Sequence, residues 1–121
     1  IMSDKCCCEG GIKLVYACSG AANTGYLADR VSRKLMKEKK GSMTCLAAMG
    51  AELSGFIESA KSAEKNIVID GCPVACGKKI FERLGLPYTH FVTTDFGVQK
   101  GKTEITEDLI DDIFKKISEK I

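Results

Sequence analysis

Histidine is nearly absent from this chain: His90 is the only one, and tryptophan is missing altogether. With one histidine there is no Ser-His-Asp set, and no paired carboxylates mark a cleft, so no hydrolase constellation is present. Charge imbalance is lacking too. A formal net charge of +2 argues for neither a nucleic-acid partner nor a membrane surface. No stretch approaches the roughly 20 apolar residues of a membrane span. No charged segment followed by an apolar one opens the chain, so a cytoplasmic rather than a secreted protein is expected. There are two prolines, no low-complexity linker and no internal repeat. A chain of 121 residues is then read as one domain, with a Cys-rich loop over 1–11 and an α/β domain over 12–121.

What the chain does have is cysteine, seven in all. At this density, in a chain expected in the cytosol, thiols point to metal or redox chemistry rather than to disulfide staples.

The hydrophobic pattern alternates between strand and helix. "IKLVYA" (12–17), "SMTCLAA" (42–48), "NIVID" (66–70) and "YTHFVTT" (88–94) read as strands, the third apolar on both faces as a buried parallel strand should be. Helices are expected from Ala22 to Gly41, from 51 to 64, from Pro73 to Leu84 and from Thr106 onward. In the first, Leu27, Ala28, Val31 and Leu35 share a face; in the second, Leu53, Phe56, Ile57 and Ala60 do. Pro73 suits a first helical turn and Gly85 a position just past a helix end. The order βαβαβαβα predicts an open, parallel four-stranded sheet with helices on both faces, in the flavodoxin-like strand order 2-1-3-4.

On that map four thiols converge. Cys18 follows strand one, Cys45 falls in the end half of strand two, Cys72 follows strand three by one glycine, and Cys76 lies a turn further on. All four belong to the carboxyl edge of a parallel sheet, where open α/β sheets bind ligands. With Pro73 as the first helical residue, Cys72 occupies the N-cap and Cys76 the same side one turn later, near unpaired amides that favour a thiolate. Asp70-Gly71 would make a tight exit from strand three. Four thiolates are a normal set for tetrahedral Zn²⁺ and also suit an iron–sulfur cluster. The spacing, one C-x₃-C pair and two distant singles, matches no zinc ribbon. For Cys45 simple burial competes almost evenly with ligation. The triplet Cys6-Cys7-Cys8 reads as a flexible second donor set, a redox pair, or residues without a role.

Other motifs are read more plainly. "CSGAANTG" (18–25) has the small residues of a phosphate-cradling loop but no Walker lysine, and close packing of the first helix explains it better. His90 is read as a packed or hydrogen-bonded strand residue, and Asp95 as a turn cap or a residue supporting the thiols. The basic run Arg30, Arg33, Lys34, Lys37, Lys39 and Lys40 is read as a solvated helix face before it is read as an anion patch.

"CSGAANTGYLADR" (18–30), "CLAAMG" (45–50), "IDGCPVACGKK" (69–79) and "TTDFGVQK" (93–100) together resemble the DGC-domain family, small prokaryotic proteins described as zinc-binding and named for Asp-Gly-Cys, here Asp70-Gly71-Cys72. The resemblance covers nearly the whole chain. It implies chelation by Cys18, Cys45, Cys72 and Cys76, the same four residues the strand map collects. The functions that follow are zinc binding for metal sensing, transfer or storage, with Cys6–Cys8 as an exchange arm. The alternatives are a thiol/disulfide redox protein using Cys72 and Cys76, an iron–sulfur protein, and an interaction domain with buried thiols.

Overall fold

The structure is a computed structural model that describes residues 11–121. Its elements are β1 (Lys13–Ala17), α1 (Asn23–Lys37), β2 (Ser42–Met43), α2 (Leu46–Gly50), α3 (Ser54–Ser62), β3 (Lys65–Asp70), α4 (Cys76–Leu84), β4 (Thr89–Val92), a 3₁₀ turn (Thr93–Phe96) and α5 (Glu107–Ser118). The four strands form one sheet in the order β2-β1-β3-β4. Every pairing is parallel, with Val15 opposite Met43 and Ile67, and Ile69 opposite Phe91. The expected class and strand order are both realised.

Strand periodicity divides the core between two faces. Val15, Ala17, Ile67 and Ile69 point to one face, where Leu27, Val31 and Leu35 of α1 and Ile110, Ile113 and Ile117 of α5 cover them. Tyr16 and Val68 point to the other, beneath Leu46, Met49, Ala60 and Phe81 of α2, α3 and α4. Tyr16 sits edge-on to Phe81, with ring centroids 4.8 Å apart, and donates its hydroxyl hydrogen to Asn66 Oδ1 at 2.8 Å. Burial pushes the Tyr16 phenol up to about 12.

Local chemistry ends the helices where packing permits. The Thr106 hydroxyl accepts from Leu109 N–H at 3.1 Å and starts α5. Gly85, at φ 70°, closes α4 as expected. The end of α1 differs from expectation. Lys39, at φ 61°, takes the left-handed position, while Lys39 and Lys40 donate back to Met36 and Leu35. Gly41 has another task, since a Cβ there would lie 2.7 Å from Val15 Cγ2.

Four elements near the site differ from expectation. The second strand is two residues long, because Leu46-Ala47-Ala48-Met49 are strong helix formers and turn into α2. The helix expected over 51–64 is α3 alone, and it leaves Leu53 and Phe56 exposed. α4 begins at Cys76, so Pro73 lies in the preceding turn rather than in the helix. β4 ends at Val92 and passes straight into the 3₁₀ turn that carries Asp95.

Candidate functional site

β1 delivers Cys18 to the carboxyl edge. Its N–H continues the ladder to Ile69 O at 3.2 Å, and its sulfur accepts Gly71 N–H at 3.3 Å. Cys45 stands just ahead of α2 rather than in a strand. It is exposed and makes no capping bond. Cys76 is the first residue of α4 and is also exposed. Together with Met43, Leu46, Phe56 and Ile80, these three thiols line one cleft of about 840 Å³. Its polar wall is Ser19, Asp29 and Arg33: the Ser19 hydroxyl donates to Asp29 Oδ1 at 2.8 Å, and Arg33 Nε to Asp29 Oδ2 at 2.6 Å.

Cys72 stands apart. It opens the turn after β3, which closes through Ala75 N–H donating to Cys72 O at 3.0 Å. Ala75 then adopts φ 55°, a left-handed conformation that is costly for a residue with a Cβ. The N-cap position expected for Cys72 therefore belongs to Ala75. Cys72 Sγ lies 3.5 Å from Lys100 Nζ and does not line the cleft. Lys100 is presented by a loop that Asn23 ties down, donating to Gln99 O and Thr103 O and accepting Gly101 N–H.

The residue that sequence reasoning undervalued is Asp70. At the end of β3 it is 1% exposed. Its Oδ1 accepts Gly77 N–H at 2.8 Å and its Oδ2 accepts Lys78 N–H at 3.1 Å, while His90 Nε2 lies 2.7 Å from Oδ2. A carboxylate thus satisfies two orphan amides at the start of α4, where the helix dipole favours negative charge. Asp70 caps the helix from the neighbouring strand, six positions before that helix begins. His90 is a hydrogen-bonded strand residue, as expected. A signal was available in the chain: an acidic residue ending a buried strand that is followed by a short turn and a helix.

Gly71 is required by proximity rather than by φ. A Cβ there would lie 2.6 Å from the Thr24 carbonyl carbon, and one on Gly25 would lie 2.6 Å from Gly20 N. The small residues of 18–25 thus serve close packing of α1, as the sequence implied. Thr93 locks the same turn by donating its hydroxyl hydrogen to Gly71 O at 2.7 Å. A Cβ on Gly77 would lie 2.6 Å from Val68 Cγ1, so α4 rests directly on β3. In the basic run, Arg30 pairs with Glu107, Arg33 with Asp29 and Lys34 with Asp111, which favours a paired surface over an anion patch.

The donor chemistry suits a thiophilic ion, and the fold brings three of the four thiols to one cleft. Among the described residues, however, no three Cys, His, Asp or Glu side chains are already gathered as a chelating group. Cys6, Cys7 and Cys8 lie outside the described residues. Among the described residues no helix is long and apolar enough to cross a membrane.

The DGC domain profile matches residues 14–117. The chain is similar to the anaerobic and virulence modulator AnvM of Pseudomonas aeruginosa, with 31% identity over 90 residues, 74% of this chain and 69% of that protein. No solved structure matches it. A profile match from β1 to α5, taking in the cleft, Asp70 and its helix, shows that this chain belongs to the DGC-domain family.

Proposed function

We propose that the chain binds a thiophilic metal ion, zinc foremost, at the carboxyl edge of its sheet, with Cys18, Cys45, Cys72 and Cys76 as ligands. The observation that carries this reading is the shared cleft of Cys18, Cys45 and Cys76, two of them exposed and free of capping bonds. Cys72 adjoins it through Gly71, whose amide donates to the Cys18 sulfur. Thiolates bind zinc at about 2.3 Å, so binding would draw the side chains together and couple metal uptake to local order. An open cleft suits sensing or transfer better than a sealed structural ion. The name of the Pseudomonas relative, an anaerobic and virulence modulator, supports a regulatory use.

The test is a zinc titration of reduced protein against a chromophoric chelator, under anaerobic conditions, with Cys76→Ser beside the native chain. Binding should weaken at least tenfold in Cys76→Ser. Equal affinity in the two would sink the reading. A visible absorption band carried by purified protein would reassign the thiols to an iron–sulfur cluster. One specific Cys72–Cys76 disulfide in metal-free protein would reassign them to redox chemistry.

A further inference from the structure

Cysteine is not the only source of sulfur in the cleft. Two methionines, Met36 and Met43, line it together with Cys18, Cys45 and Cys76. Harder donors are scarce there. Among the described residues that line the cleft, Asp29 is the only carboxylate, and its oxygens are taken by Ser19 at 2.8 Å and Arg33 at 2.6 Å. His90, the single histidine of the chain, lies against Asp70 and does not line the cleft.

The backbone sets Met43 and Cys45 up as a pair. β2 holds Met43 opposite Val15. The ladder runs on for one more residue, since Thr44 N–H donates to Val15 O at 2.9 Å. Cys45 keeps extended dihedrals, φ −94° and ψ 113°. Residues two apart on an extended segment project to the same side, about 6.6 Å apart at about 3.3 Å per residue. Met43 is half-buried and Cys45 exposed, and both line the cleft. The methionine side chain is unbranched and rotates about three bonds, so its sulfur can swing across such a gap. The Cys18 sulfur, in contrast, is engaged by Gly71 N–H.

A thioether does not serve every ion that a thiolate serves. Thiolate and thioether together are a soft set that suits Cu(I). Zinc takes thiolate, imidazole and carboxylate, and gains nothing from Met43. Charge favours the same choice. Cu(I) with a pair of thiolates and a neutral thioether carries one negative charge, whereas zinc with a full thiolate set carries a double one. Leu46, Phe56 and Ile80 form an apolar wall, beside which the smaller charge costs less. We propose that the cleft also binds Cu(I), through Cys45, Cys76 and the Met43 thioether, without Cys72. This rests on the reading of the cleft as a metal site. Each thiol that bonds the ion releases its proton to solvent, and the thioether has none to release. Copper enters and stays as Cu(I), so no oxidant or reductant takes part.

The experiment is a pair of anaerobic titrations against colorimetric chelators, one with Zn²⁺ and one with Cu(I). Both use the full chain carrying Cys6→Ser, Cys7→Ser and Cys8→Ser, so that only Cys18, Cys45, Cys72 and Cys76 supply thiols. Met43→Leu conserves volume and keeps the fold. It should weaken Cu(I) binding about tenfold while zinc binding stays within about twofold. Cys72→Ser should do the reverse. X-ray absorption at the selenium edge of the selenomethionine-labelled, copper-loaded chain should show copper at bonding distance, and Met43→Leu should remove that signal. Unchanged Cu(I) affinity in Met43→Leu, an equal loss for both ions, or a selenium edge with no copper neighbour would overturn the Cu(I) assignment and leave the zinc reading standing. Affinities for both ions untouched by Cys45→Ser/Cys76→Ser would overturn the metal cleft and this inference with it.

Discussion

The two halves of the carboxyl edge are built on opposite plans. On the β3–β4 side the turn is tied down by hydrogen bonds: Asp70 holds two α4 amides and His90, Thr93 holds Gly71 O, and Gly71 lies flat against α1. On the β1–β2 side β2 stops after two residues, and Cys45 and Cys76 stand exposed on an open cleft. A buried carboxylate with its full set of donors gives rigidity, while thiols without partners keep their sulfur free for a ligand. The locked half aims α4, and through it Cys76, at the open half.

Substitutions separate the two plans. The largest effect on stability should come from Asp70→Ala, which strands the buried Gly77 amide, the Lys78 amide and His90. At about 1–3 kcal/mol per unsatisfied group, the loss should be about 3 kcal/mol or more by urea unfolding. Thiol reactivity at Cys76 should rise with it as the helix start loosens. Gly71→Ala comes next. Its Cβ would press on the α1 backbone, which costs about 1–3 kcal/mol where backbone must shift. On the open side, Cys45→Ser and Cys76→Ser should each change stability by less than about 0.5 kcal/mol, as exposed substitutions do, and yet abolish tight zinc binding. A comparable loss of stability from the cleft substitutions would break the comparison.

An effect confined to alkaline pH lies away from both halves. The Tyr16 phenol is raised to about 12 by burial, from an ordinary value of 10.0. Above pH 10 the unfolded chain releases this proton while the folded chain keeps it, so folding loses stability as pH rises from 10 towards 12. Below pH 10 the contribution is constant. Tyr16→Phe should flatten this part of the pH–stability curve, measured by urea midpoints.

The alternation of patterns was enough to read the sheet. "NIVID" is apolar on both faces and bounded by polar residues, so β3 and the strand order built around it were legible. The joins at the site were less so. "SMTCLAA" is uncharged and mostly apolar, and only the helix propensity of Leu-Ala-Ala-Met shows that Cys45 precedes a helix rather than lying in a strand. Pro73 pointed to a helix start, but the start is fixed at Cys76 by Asp70, a bond between separate elements that local pattern cannot show. Gly71 looked like a turn glycine, and its reason is the α1 backbone, distant in sequence. That four cysteines belong to one edge was legible from the strands. That Cys72 pairs with Lys100 outside the cleft depends on the loop tied down by Asn23, which no spacing encodes.

The central claim is that the open half is a metal site. It is tested most directly by elemental analysis of anaerobically purified protein, native and Cys45→Ser/Cys76→Ser, with a visible spectrum of each. The account predicts close to one zinc per native chain, no visible band, and loss of the zinc in the double variant with its fold intact. Native protein free of metal, or a double variant that keeps its full zinc, would contradict it.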